Sequence, residues 1–197
     1  MTTSGPALPI RSLTEARLYL QVTTCRACGA GPLITDPHAA DHDPHQHTLN
    51  VPVTCKACGQ RCDVLFDTSE VQQESMPANP TELLAPAGPA PASAINPADE
   101  PSRIIDVAGW LTLYSTIADA ARARDAEAQT MRDRAAIRLR RIEAAQCLDE
   151  ALKFFDADND LPPEDAFFHD DTRRRFRDHP ELFTRQHLID LRRQLPR

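Results

Sequence analysis

The spacing of apolar residues changes period along this chain. Between His47 and Thr54, Leu49, Val51 and Val53 alternate with Thr48, Asn50, Pro52 and Thr54. A period of two residues predicts a strand with one buried face. Pro52 has no N–H to give a ladder, so one side of this strand is expected to be unpaired there. Residues 62–66, Cys-Asp-Val-Leu-Phe, read as the return strand. From Ile104 onward the period becomes helical. Ile104, Ile105, Ala108, Leu111, Tyr114, Ile117, Ala118 and Ala121 share one face of a helix expected from Ser102 to about Arg124, with Trp110 on the same broad face. No Gly or Pro occurs between Gly109 and Pro162. A break at 126–129, followed by Thr130 and Asp133 as a new cap, turns that stretch into a helical hairpin. Its second helix carries Ala135, Leu139, Ile142, Ala145, Leu148, Leu152 and Phe155 as an apolar stripe.

Shorter signals surround these two patterns. Residues 1–11 read as a loose, partly extended arm. Ser12 and Glu15 match a capping box and start a short helix over 13–20, with Leu13, Ala16 and Leu20 on one face. Residues 18–24 also alternate, which leaves a strand as the alternative. Residues 68–101 hold seven prolines, only acidic charges and no aromatic residue. Such a segment buries too little apolar surface to offset the cost of ordering, so a semi-extended linker is expected. The tail reads as short helices: a turn over 163–168 that places Phe167 and Phe168 against the hairpin, a helix over 173–177 capped by Asp170 or Asp171, a turn at Pro180, and a last helix from Thr184 to Leu195. The expected fold class is α+β, mainly helical. Residues 1–68 form the β unit with its helix, 69–101 the linker and 102–197 the α-helical domain.

The chemistry concentrates in a repeated phrase. Thr24-Cys25-Arg26-Ala27-Cys28-Gly29 and Thr54-Cys55-Lys56-Ala57-Cys58-Gly59 are near copies. Each two-residue gap lets one tight turn aim both sulfurs at one ion, and Gly after the second Cys accepts the positive φ of that turn. Four thiolates satisfy a tetrahedral metal shell. The expected ligands are therefore Cys25, Cys28, Cys55 and Cys58, holding one structural Zn2+. The 26 residues between the pairs exceed the usual gap and read as an insertion.

The two CxxCG knuckles resemble those of zinc-ribbon proteins, over about residues 22–67. The resemblance implies knuckles at the tips of short β-hairpins and a metal. Similar ribbons serve nucleic-acid machinery and enzymes alike, so it implies no particular activity. Trp110, Leu113 and Tyr114, with Ala144, Leu148 and Ala151, faintly resemble a tetratricopeptide helix pair; the helices are too long for its repeat of about 34 residues and no second copy exists.

Several residues are tempting beyond the four ligands. Cys62 reads as a small buried hydrophobe beside Val64 and Phe66, with an oxidisable thiol or alternative ligand as the sharper reading. His38, His42, His45 and His47 could bind a second metal, but Asp and Pro around them indicate a solvated, irregular loop. Asp156-Ala157-Asp158-Asn159-Asp160 suggests a calcium loop. Leu161 stands where that loop needs Gly and Phe167 where it needs Glu, so an acidic helix terminator is expected. Arg132, Arg134, Arg138, Arg140 and Arg141 have acidic neighbours and read as a solvated helix face rather than a phosphate site.

The formal charge of −7 becomes about −9 with four bound thiolates and Zn2+. An acidic chain lacks the footprint of a general nucleic-acid binder. Twenty of its 22 cations are Arg, and with abundant Ala and Pro this hints at a GC-rich bacterial genome. Residues 1–10 carry no secretory pattern and no stretch reaches the 18 or so apolar residues of a membrane span. The expected location is cytoplasmic. No Gly-rich phosphate loop, nucleophile elbow or H-E-x-x-H occurs, so the chain is read as non-enzymatic, although dispersed catalytic residues would leave no local motif. The leading expectation is a zinc-binding adaptor with a protein partner and an undetermined oligomeric state. A nucleic-acid-associated zinc ribbon in transcription or translation is the alternative, and a thiol redox or zinc sensor the second.

Overall fold

A computed structural model describes residues 6–35, 39–71 and 94–196. It is mixed α+β, with a small N-terminal sheet and, among the described residues, five α-helices. Contacts divide the described residues into two compact units: 6–71 with Asn96–Ala98, and 94–95 with 99–196.

In the first unit, β4 (Thr48–Cys55) is the central strand. Leu49, Val51, Val53 and Cys55 are buried while the residues between them are half-buried, as the alternation predicts. β5 (Arg61–Asp67) returns antiparallel to it, with Val51 opposite Val64 and Val53 opposite Cys62. The other edge of β4 is shared by two short strands. β2 (Leu33–Thr35) pairs with residues 53–55, and β3 (Asp41–Asp43) with residues 48–50. Among the described residues neither reaches Val51 or Pro52. The register carries β2 on toward residues 36–38, which lie outside the described residues, and the free side expected at Pro52 falls outside them too.

The insertion between the cysteine pairs is therefore more ordered than the irregular loop its composition suggests. β3 and β4 form a hairpin around residues 44–47. Asp43 Oδ1 accepts from the N–H groups of His45 (2.9 Å) and Gln46 (3.1 Å), and His47 takes a left-handed φ of 52°. Asp followed by Pro is a turn signal in its own right. His38 lies outside the described residues.

The N-terminal arm is corrected as well. β1 (Leu8–Pro9) pairs parallel with β5, Ile10 N–H donates to the Asp67 carbonyl (3.0 Å), and the Ile10 side chain is buried. Helix α1 (Leu13–Val22) follows, longer than predicted, which removes the alternative strand over 18–24. Ser12 Oγ accepts from Glu15 N–H (3.0 Å), and Glu15 Oε2 accepts from Arg11 N–H (2.8 Å). Glu15 thus reaches back one residue beyond the cap. Leu13, Ala16, Leu18 and Leu20 are buried, and Tyr19 meets the edge of Phe66 at 6.0 Å.

The second unit is built on the hairpin of α2 (Val107–Asp125) and α3 (Met131–Leu152). The break at 126–129 and the Thr130/Asp133 capping box are both present. The start of α2 differs from the expectation. Asp106 is the cap, accepting from Gly109 N–H at 2.7 Å. Ser102 instead closes a separate turn, accepting from Ile104 and Ile105 N–H groups. The stripe assigned to α3 also needs correction. Ala135 and Leu139 are exposed, whereas residues 143–148 are buried almost all round. The C-terminal half of α3 is covered by α2 and by α5 (Arg185–Arg193), with Arg192 Nε on Asp149 Oδ1 at 2.8 Å. One apolar stripe suits a helix with one neighbour, not one covered on several sides.

The tail packs around aromatic rings. Phe167 stacks on Phe176 at 4.5 Å and meets Phe183 edge-on at 5.2 Å, while Phe168 lies 6.2 Å from Phe154. Helix α4 (Asp170–Asp178) is capped by His169, not by Asp170 or Asp171, and Asp106 Oδ2 accepts from Phe168 N–H (3.0 Å) and Thr172 Oγ1 (2.8 Å). Pro180–Phe183 is a 3-10 turn, and Thr184 caps α5 as expected. The acidic run 156–160 serves that same helix: Asp160 accepts from Arg185 N–H through its carbonyl (2.7 Å) and from Gln186 N–H through Oδ1 (3.2 Å). Carboxylate oxygens at a helix N-terminus satisfy otherwise unpaired N–H groups.

Most of the predicted linker, with Pro77, Pro80, Pro86, Pro89 and Pro91, lies outside the described residues. Its described ends are less open than the composition implies, since Thr68, Val71, Ile95 and Asn96 are buried.

Candidate metal centre

The two repeated phrases fold alike. In the first, Cys25 N–H donates to the Ala30 carbonyl (2.6 Å) and Gly29 N–H to the Cys25 carbonyl (2.8 Å). In the second, Cys55 N–H donates to the Gln60 carbonyl and Gly59 N–H to the Cys55 carbonyl, both at 2.9 Å. Gly29 and Gly59 sit at φ 69° and 73°. A side chain at either position would be strained by that conformation, which is why each phrase ends in Gly.

Different elements deliver the two turns. The second joins β4 to β5 at a hairpin tip. The first follows the C-terminus of α1 and leads into β2, so among the described residues only one knuckle has the hairpin setting that the ribbon resemblance implies. The register brings them together. Leu33, just past the first turn, lies opposite Cys55, and Lys56 N–H donates to the Pro32 carbonyl at 3.1 Å.

Cys25, Cys28, Cys55 and Cys58 consequently converge, with all four Sγ atoms within 4.8 Å of one another. Cys25 and Cys58 sulfurs are 3.8 Å apart and those of Cys28 and Cys55 3.7 Å. A disulfide needs about 2.05 Å. Four sulfurs at about 2.3 Å from a central ion lie about 3.8 Å from each other in a tetrahedron. The donor set and spacing fit one metal ion of the type that prefers tetrahedral thiolate, Zn2+ or iron. Among the described residues no other His, Cys, Asp or Glu group is spaced to hold a metal; His42, His45 and His47 do not assemble into one, and neither do the acidic residues of 156–160.

The thiols are not equivalent. Cys25 and Cys55 are buried, Cys28 and Cys58 exposed. The backbone N–H of Cys58, assisted by that of Ala57, faces the Cys55 sulfur and lowers its pKa to about 7, over the opposing effect of burial. Cys28 accepts from the Ala30 N–H, which alone would lower it. Contacts with Cys58, Cys55 and Cys25 and partial desolvation prevail and push it up to about 12. In the metal-free cluster Cys55 is thus the first of the two to become a thiolate, and a cation would relieve the crowding that holds the Cys28 proton on.

Cys62 does not follow its expectation. It is exposed on β5 rather than buried beside Val64 and Phe66. Desolvation, and then the charges of Cys25 and Asp63, push its thiol up. A raised pKa lowers the thiolate fraction on which thiol reactivity depends. Contacts that support the site but left little trace in the sequence are backbone ones, at Ala30, Pro32 and Gln60.

No protein-family model, no curated protein and no solved structure matches this chain. No helix among the described residues is long and apolar enough to cross a membrane.

Proposed function

We propose that the chain is a zinc-binding, non-enzymatic adaptor. One structural Zn2+ sits on Cys25, Cys28, Cys55 and Cys58 in a ribbon-like unit, and the ribbon and the helical unit each offer a surface to protein partners. The observation that carries the reading is the convergence of four cysteine sulfurs at tetrahedral spacing. Four protein thiolates fill the shell of a zinc ion and leave no position for water or substrate, which favours a structural ion over a catalytic one.

Native mass spectra of the purified chain, recorded with and without a strong chelator, test it. One zinc per chain, released together with the order of residues 6–71, is the expected result. Iron in place of zinc, or a metal-free chain with oxidised cysteines, would overturn the zinc assignment. A second reading, association with nucleic acid, has one observation in its favour. Arg26 and Lys56 occupy the same place in the two knuckles and both are exposed. Salt-dependent binding of DNA or RNA at low ionic strength would move the assignment there, and its absence leaves the adaptor reading in place.

A further inference from the structure

We propose that the N-terminal half of α3 docks an acidic amphipathic helix of a partner protein; this deepens, and rests on, the adaptor reading. Met131, Ala135 and Leu139 lie four residues apart and so form one stripe, about 12 Å long, on the helix surface. Met131 is 78% exposed, Leu139 40%, and Ala135 is exposed as well. The helix contacts α2 through its other side, where Ile137, Ala144 and Leu148 are buried and Arg141 reaches Asp125 at 2.6 Å. Ile142, half-buried, extends the stripe toward the covered end of the helix.

The charges flanking the stripe specify the occupant. Helical spacing places Arg132 on one side and Arg138 on the other. Both are exposed, and among the described residues neither has an ion pair, whereas Arg140 and Arg141 are paired with Glu143 and Asp125. An apolar strip between two guanidinium groups that are in no ion pair among the described residues complements a helix whose own apolar strip is bordered by carboxylates. A second copy of the same face would set Arg against Arg, a like-charge contact that disfavours self-pairing. A nucleic acid would engage the arginines and leave Met131 and Leu139 in water.

The test uses the full chain and two synthetic helical peptides with the same leucine strip, one bordered by Glu and one by Lys, read by fluorescence anisotropy. The Glu peptide is expected to bind and the Lys peptide to bind at least tenfold more weakly. Met131→Asp with Leu139→Asp should weaken the Glu peptide at least tenfold, and Arg132→Glu with Arg138→Glu should reverse the preference. These side chains are exposed, so circular dichroism and metal content should be unchanged. Failure of the Glu peptide to bind, equal binding of the two peptides, or Glu-peptide binding that survives Met131→Asp with Leu139→Asp overturns the proposal. So does a dimer in sedimentation that the same pair of substitutions dissolves, which gives the face to a second copy. Single-stranded oligonucleotide binding that depends on the two arginines but not on Met131 and Leu139 gives it to nucleic acid. Peptide selectivity reads this face alone, while zinc content and nucleic-acid binding by the arginine-intact chain read the adaptor assignment.

Discussion

The two units of this protein reach a fixed structure by different means. Around the cysteines, order is local and chemical: a six-residue phrase is written twice, each copy makes the same two backbone hydrogen bonds, and four sulfurs converge within 4.8 Å of one another. In the helical unit, order depends on residues far apart in sequence. Asp106 accepts from Gly109, Phe168 and Thr172, and Phe167, Phe176 and Phe183 form one ring cluster. The contrast teaches where each unit is vulnerable. With the proposed zinc bound, one would depend on a single ion and four side chains. The other spreads its contacts over caps and packed rings.

Metal removal gives the largest expected effect. A chelator, or Cys55→Ser, should abolish hydrogen-exchange protection in β2, β4 and β5 while leaving the helical circular-dichroism signal largely intact. If both units lose protection together, the contrast is wrong. Within the helical unit, Phe167→Ala removes a fully buried ring from the aromatic cluster and should cost about 4 kcal/mol in denaturant unfolding, with metal content unchanged. Asp106→Ala leaves the Gly109 and Phe168 N–H groups without their acceptor, the Thr172 hydroxyl keeping the His169 carbonyl, and should cost about 3 kcal/mol by the same measurement.

A smaller effect is pH-dependent. Hydrogen bonds from the Thr130 hydroxyl and N–H hold the Asp133 carboxyl below its usual 3.8. A depressed carboxyl stabilises the fold above its unfolded value, and that contribution disappears as pH falls through the folded value. Thr130→Val should therefore lower the thermal midpoint at pH 6 by a few degrees and have less effect at pH 2, measured by circular dichroism. The smallest effect belongs to Cys62→Ser. Zinc retention and peroxide sensitivity of the metal should match the wild type; a clear loss of either would make Cys62 a working part of the centre.

Sequence reading reached the cluster of four cysteines because everything it needs is local. Cys spacing, the following Gly and the alternation of β4 are visible within a few residues. The break at 126–129 and the Thr184 cap were legible for the same reason. What escaped depends on distant partners. Residues 8–10 look like an arm until β5 is there to pair with them. Asp106 looks like any acidic residue until Phe168 and Thr172 fold back onto it. The buried half of α3 has no clean stripe because several neighbours cover it. Cys62 shares the face of Val64 and Phe66 by alternation, but residues 61–63 at that end of β5 are all exposed, so nothing there covers it.

The uneven depth of the four sulfurs has a kinetic meaning. Cys25 and Cys55 are buried and would hold an ion from within, while Cys28 and Cys58 stand at the surface. A coordination shell can be complete and still have a door. An incoming chelator or a softer ion such as Cd2+ can displace the outer thiolates one at a time while the inner pair keeps its grip. Affinity for the ion and its residence time are then separable properties: the first is set by all four cysteines, the second by how readily the two outer ones let go.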